Sequence, residues 1–485
     1  MPTPVTLDGH SLSIADVVAV ARGNAPVAIA PQALGAVQRS RRAVEAAIER
    51  GQTMYGVNTG FGKLAHVRIR PEQARQLQLN LIRSHASGVG EPLALDAVRA
   101  MMLLRANVLL RGTSGVRPVL PELLVDMLNA RVHPTVPSQG SVGASGDLAP
   151  LSHLALAMIG EGDVQVSRPI TLEAKEGLAF VNGTQAQTGL AALLVTDAWT
   201  AWRTAHAAAA MSLEAVRGSP DPFDARIHDA RPHPQQQRSA TLLRDLLADS
   251  EIRESHREND PRVQDAYSLR CTPQVLGAAG EGLAFAERLV STELNAATDN
   301  PLVFGDDVIS GGNFHGQPIA LALDVVAIAL TTLAGLAERR LERVVNPDLS
   351  SGLPAFLAHD PGLESGFMTA QIAAAALVAD CRVLATPASV QSVPTEGNQE
   401  DVVPMGMSAA WKAGRILANT ERILAIELLA GAQGLEYLKP LRPAPAVARL
   451  QAAVREESPA LTGDRPMTAD IERVAAGIRA GRFAP

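Results

Sequence analysis

Four long runs rich in alanine and leucine, near residues 187–216, 273–296, 315–345 and 404–432, restrict the fold of this chain more than any other feature. Each is too long for a strand and places apolar side chains on most faces of a helix, and such a helix has to be covered by other helices. The stretch "PIALALDVVAIALTTLAGLAERR" is long enough to suggest a membrane span, but Asp324 interrupts it and it ends in charge, so it reads as a core helix. A mostly α-helical chain follows, with a bundle of long, nearly antiparallel helices within 196–485. Residues 1–195 have a different texture, and a soft boundary is placed near 195. There "PQALGAVQRSRRAVEAAIER" (31–50) opens with proline in the first helical turn, and "VQVSRPITL" (164–172) predicts a short strand. Further on, "RPHPQQQRSA" (231–240) reads as an exposed connection.

Composition narrows the function. The 485 residues are 47% hydrophobic with a formal net charge of −7, and no basic block is present to track a phosphate backbone. Small-molecule chemistry is therefore expected, with no nucleic-acid or membrane partner. Two cysteines, Cys271 and Cys381, stand far apart, which suits a reducing compartment and offers no disulfide framework or thiolate metal site. The opening "MPTPVTLDGHSLS" has no basic segment followed by an apolar one, so no secretory signal is read and a cytoplasmic location is expected.

The stretch "GSVGASGDLAP" (140–150) concentrates three glycines in one loop. An anion cradle is excluded, because Asp147 follows Gly146 where a phosphate-binding loop would carry lysine and a hydroxyl. A plain tight turn and a reactive backbone remain. In the reactive case the Gly146 nitrogen closes a five-membered ring on the Ala144 carbonyl carbon. Loss of two waters then leaves a methylene at the former Ser145 side chain, a strong electrophile that needs no external cofactor.

"GSVGASGDLAPLSH" resembles the signature of the histidine/phenylalanine/tyrosine ammonia-lyase family. The resemblance continues in order through "YGVNTGFG" (55–62), "LQLNLIRSHASGVG" (77–90), "VNGTQA" (181–186), "VQDAYSLRCTPQVLG" (263–277), "ELNAATDNPLVF" (293–304), "GGNFHGQP" (311–318) and "GNQEDVV" (397–403). It implies a helix bundle of the aromatic amino acid lyase, fumarase/aspartase-like type, with a smaller N-terminal region carrying the loop. It also implies that Ala144-Ser145-Gly146 matures into 4-methylideneimidazol-5-one (MIO), with no metal. That group would take up the substrate amine and turn it into a leaving group.

By the same resemblance Tyr55 is the base for the β-proton, and Tyr267 is a second site tyrosine. A phenol of ordinary pKa about 10 has to be depressed, or relieved of its proton by a partner, to serve as a base near neutral pH. With only three tyrosines in the chain, the placing of Tyr55 and Tyr267 in polar stretches fits either these roles or an interfacial core, while Tyr437 reads as structural. Arg270 matches the arginine that forks the substrate carboxylate, and would share a helical face with Tyr267. Asn182 and Gln264 match residues that hydrogen-bond the MIO oxygen and the substrate, and Phe314 matches the aromatic beside the group. His315, next to Phe314, fits a pocket residue or a plain core histidine, with the core reading the simpler, and His153 reads as support for the loop.

Substrate choice rests on fewer residues. Phenylalanine-selective relatives usually carry Phe-Leu, and tyrosine-selective ones His-Leu, where this chain has Ser84-His85. Together with Met368 and Glu400 this pair resembles the histidine-selective kind, since a carboxylate pairs with an imidazole ring and gains nothing from a phenyl. Val402 replaces a histidine usual in those enzymes, Pro404 follows, and Glu396 stands where a small polar residue is common. A helical turn at 396–400 would put both carboxylates on one side. The reaction expected is elimination of ammonia from L-histidine to give urocanate. A lyase for tyrosine, phenylalanine or a modified histidine, and an MIO-dependent aminomutase, stay open. Related enzymes are tetramers with sites built from several subunits, so a homotetramer is expected.

Overall fold

The structure, a computed structural model, describes residues 3–485. Its four longest helices are Gln185–Ala215, Thr272–Glu293, Gln317–Val345 and Gly406–Glu436, which follow the four apolar runs to within a few residues. Among the described residues, strand is confined to three two-stranded ribbons. Val5–Leu7 pairs in parallel with Val27–Ile29, while Val89–Pro92 with Pro137–Gln139 and Leu302–Phe304 with Asp307–Ile309 pair antiparallel.

Two expectations fail. Residues 164–172 form no strand. Their alternation is real, since Val166, Ile170 and Leu172 are buried, but no strand lies alongside to pair with them and Pro169 lacks a donor. Residues 231–240 are only partly a connection, because Pro234 begins the helix Pro234–Leu246, which buries Gln236, Ser239 and Ala240. Proline in the first turn started that helix, and the polar composition hid it.

The chain divides into two compact units. One comprises the chain up to Leu194 with Ala286–Asp324 and Pro387–Trp411; the other comprises Val195–Phe285, Val325–Thr386 and Lys412–Pro485. In the first, the helix Leu95–Leu110 is buried from Ala97 onwards and packs against Ile14–Ala21 and Val119–Ala130. Its polar residues are satisfied inside that core: Asn107 accepts from the Gly9 N–H at 3.0 Å and donates to the Leu294 carbonyl at 3.0 Å. The Asp324 carboxylate, which broke the apolar run, accepts the backbone N–H groups of Ala388 and Ser389 at 3.0 and 2.7 Å. Gln317–Val345 is the one helix among the described residues long and apolar enough to cross a membrane, and 67% of its apolar window is buried within the protein.

In the second unit Trp202 is fully buried and donates to the Leu276 carbonyl at 2.6 Å. Arg340 and Glu427 form a bidentate pair at 2.6 and 3.0 Å, also fully buried, with the Ser212 hydroxyl donating to the same carboxylate. Tyr437 donates to the Leu357 carbonyl at 2.9 Å, as its structural reading requires.

Candidate active site

The glycine-rich loop runs from the strand Pro137–Gln139 to the helix Leu148–Met158. Three further helices begin against it: the Asp147 N–H donates to the Gly183 carbonyl (2.7 Å) just before Gln185–Ala215, the Gly316 N–H to the Gly143 carbonyl (3.0 Å) before Gln317–Val345, and the Met405 N–H to the Val142 carbonyl (2.8 Å) before Gly406–Glu436. Four helix N-termini, each carrying a partial positive charge, therefore surround one turn. Gly146 sits at φ +77°, and a Cβ there would lie 2.3 Å from the Gly183 nitrogen, so only glycine fits. Asp147 is fully buried, and burial pushes its carboxyl up to about 7 against hydrogen bonds from Gln187 and Ser141.

Ser145 opens onto a cavity of about 450 Å³ that is also lined by Tyr55, Asn182, Phe314, His315, Glu396 and Glu400. Asn182 Nδ2 donates to the Ser145 carbonyl at 2.9 Å. The Ser145 hydroxyl donates to Glu400 Oε1 at 2.7 Å, and the Thr395 hydroxyl holds Glu400 Oε2 at 2.6 Å. Tyr55 Oη accepts from the Gly62 N–H at 2.8 Å, and its ring meets Phe61 edge-on. Burial raises the pKa of Tyr55; the Gly62 N–H opposes this, and the charges of Glu396 and Glu400 add to it. Within this unit, then, the balance is against the phenolate. Glu396, Glu400 and Asp401 line the cavity, and no lysine or arginine is among its described lining residues.

A second cavity of about 290 Å³ meets the same serine and contains His85, Ser84 and Glu400. Burial lowers the pKa of His85, favouring its neutral ring, while Glu400 pulls the other way; its Nδ1 lies 2.9 Å from the Ser84 hydroxyl.

The expected helical turn at 396–400 does not form. Glu396, Gly397 and Asn398 all have positive φ in a short 3-10 turn, yet both carboxylates reach the main cavity. His315 lines the cavity, against the simpler core reading, with Nε2 3.0 Å from the Val402 carbonyl. His153 Nε2 accepts from the Gly88 N–H at 3.2 Å. Asn300 lines the cavity too, and its side-chain Oδ1 accepts from the Gly311 N–H at 2.7 Å, which shapes the ribbon there. It sat inside a motif already singled out, but nothing local marked it.

Gln264, Tyr267, Arg270 and Met368 belong to the second unit, and none lines either cavity. Tyr267–Arg270 is one helical turn with the guanidinium 4.6 Å from the tyrosine ring centre, so these two share a face. Tyr267 and Gln264 are exposed, and Met368 begins the helix Met368–Leu384.

A sequence model described as "Aromatic amino acid lyase" matches residues 12–456. The chain belongs to the aromatic amino acid lyase family. It is 50% identical to a histidine ammonia-lyase of Koribacter versatilis, covering 99% of this chain and 98% of the relative. Among solved structures it resembles a tyrosine aminomutase from Streptomyces globisporus (TM-score 0.94, 42% identity, covering 99% of this chain and 98% of the other). It also resembles a histidine ammonia-lyase from Trypanosoma cruzi (TM-score 0.91, 43% identity, covering 99% and 94%). Aromatic amino acid lyases as a family depend on MIO. The loop geometry fits the group, since Gly146 has no room for a side chain and the oxygen that would become the ring carbonyl already accepts from Asn182.

Proposed function

We propose that this chain eliminates ammonia from L-histidine to give urocanate, with MIO formed from Ala144-Ser145-Gly146. The observation that carries the reading is the meeting of Ser145, Asn182, Tyr55 and Glu400 in one cavity. Once formed, the group supplies an electrophile for the substrate amine. Asn182 holds its ring oxygen, and Tyr55 faces the same space to take the β-proton. Glu400 loses its serine partner when that hydroxyl departs, which leaves Oε1 open to an imidazole N–H, with His85 beside it and Met368 brought by a second copy of the chain. The α-carboxylate needs a cation that this cavity lacks. A second copy of the chain supplies it through Arg270, accompanied by Gln264 and Tyr267, in a homotetramer.

The test is a product analysis with L-histidine, L-tyrosine and L-phenylalanine offered in turn. Urocanate and free ammonia from histidine are expected. A β-amino acid would make the chain an aminomutase, a reading kept alive by the aminomutase likeness, and preference for phenylalanine would remove the histidine assignment. Glu400→Gln should lower kcat/KM for histidine by ~10-fold or more, the scale of one hydrogen bond to a charged group, and spare any trace reaction on phenylalanine.

A further inference from the structure

Behind the cavity wall, a buried cation grips the turn against which the reactive serine is held. Arg105 lies in the helix Leu95–Leu110 and is 0% exposed. Its Nη1 donates to the Asn182 carbonyl at 3.2 Å and to Gln185 Oε1 at 2.5 Å, and its Nη2 donates to the Ala179 carbonyl. These acceptors bracket the turn between the helices Glu176–Val181 and Gln185–Ala215. The same turn holds the triplet from the other side, through Asn182 Nδ2 on the Ser145 carbonyl at 2.9 Å and through the Gly183 carbonyl on the Asp147 N–H at 2.7 Å. There is no slack in this stack. A Cβ at Gly183 would fall 2.4 Å from Arg105 Nη1, and one at Gly146 would fall 2.3 Å from the Gly183 nitrogen.

The charge is harder to explain than the contacts. Burial pushes the Arg105 guanidinium down to about 10, so it remains charged at neutral pH. Its neighbouring carboxylate, Asp299, is already bonded to the buried ammonium of Lys175 at 3.0 Å, and Arg105 Nε has no partner among the described residues. Its acceptors are neutral carbonyl and amide oxygens, which need donors but not a full charge, and a buried charge without a carboxylate of its own costs desolvation.

We propose that Arg105 is a positioning residue for ring closure in Ala144-Ser145-Gly146, an inference that rests on the cyclisation proposed above. Closure forms a bond between the Gly146 nitrogen and the Ala144 carbonyl carbon. The Ala144 oxygen leaves as water with the N–H hydrogens of Gly146 and Ser145, and the Ser145 hydroxyl leaves as a second water with the Ser145 Cα hydrogen. No oxidant or reductant is needed. Arg105 fixes the Asn182–Gly183 turn, and that turn braces Gly146. Its positive charge also lies behind Asn182, whose amide meets the negative charge gathering on the Ser145 carbonyl oxygen as the Cα proton departs.

Intact mass, followed in time after synthesis, tests this, alongside thermal melting and oligomer size as measures of folding. Wild type should fall short of the sequence mass by two waters. Arg105→Lys keeps charge but loses the fork, and Arg105→Met keeps bulk without charge. Folded chains of both should lose the waters ~10-fold more slowly or worse, with Met the slower. Should neither variant fold, Gln185→Met removes one of the two Nη1 acceptors while leaving the cation, and the same slowing is expected. Wild-type maturation in any of these folded variants overturns the role of Arg105. A wild type that never loses two waters while acting on histidine overturns the cyclisation itself, so the two failures are told apart.

Discussion

Tyr55 occupies a site that works against its proposed task. Burial raises its pKa, and Glu396 and Glu400 add negative charge, with only the Gly62 N–H favouring the phenolate. If the deprotonated tyrosine takes the β-proton, the rising limb of kcat/KM against pH reports its ionisation. Glu396→Gln removes one of the two charges holding that pKa up, so the limb should move to lower pH, with more activity on its acid side. A pH–rate profile of the two proteins decides it, and an unmoved limb, or one shifted to higher pH, would show that Tyr55 is not the titrating base. The residue types of this site were legible in the sequence, whereas its electrostatic sign was not. The sign depends on residues 395–401 folding back over Gly62, where a Cβ would fall 1.7 Å from Glu396 Oε1. That fold-back uses positive φ at Glu396 and Asn398, which local pattern does not announce. His315 is ambiguous in the sequence for a related reason: a lone histidine beside an aromatic fits core and pocket alike until the chain around Val402 supplies its partner.

At the scale of elements, length decided what could be read. The four long helices were legible because apolar spacing over many residues has one interpretation, whereas a three-residue strand such as Leu302–Phe304 exists only because Asp307–Ile309 lies beside it. Helix packing adds constraints that composition conceals. Gly277 lies inside Thr272–Glu293, where glycine ordinarily costs ~1 kcal/mol relative to alanine. A Cβ there would stand 2.6 Å from Gln236 Cα, in the backbone of Pro234–Leu246, and backbone cannot rotate away. The steric term should win. Gly277→Ala is expected to destabilise by ~1–3 kcal/mol, the usual cost of overpacking, read as a lower denaturant midpoint with an unchanged slope. A gain in stability would mean that the two helices separate freely, and that the glycine reflects no packing constraint.

For the whole molecule, the decisive feature is what one chain's cavity lacks. A pocket lined by Glu396, Glu400 and Asp401, with no lysine or arginine among its described lining residues, repels an amino acid's carboxylate unless a cation arrives from elsewhere. Arg270, already stacked on Tyr267, is the proposed donor, and it belongs to a different unit of the chain from Tyr55. If it enters from a second copy, Tyr55 and Arg270 of one working site come from two polypeptides. Tyr55→Phe and Arg270→Ala homotetramers should each be nearly inactive, the first for want of a base and the second for want of a carboxylate anchor. Chains of the two variants mixed equally within one tetramer would nonetheless build some sites with both native residues, about a quarter of them if assembly is random. Co-expression with two different affinity tags, followed by isolation of tetramers that carry both, should therefore recover activity of that order. If the doubly tagged tetramers stay as inactive as their parents, Tyr55 and Arg270 act from the same chain, and the shared site proposed here is wrong.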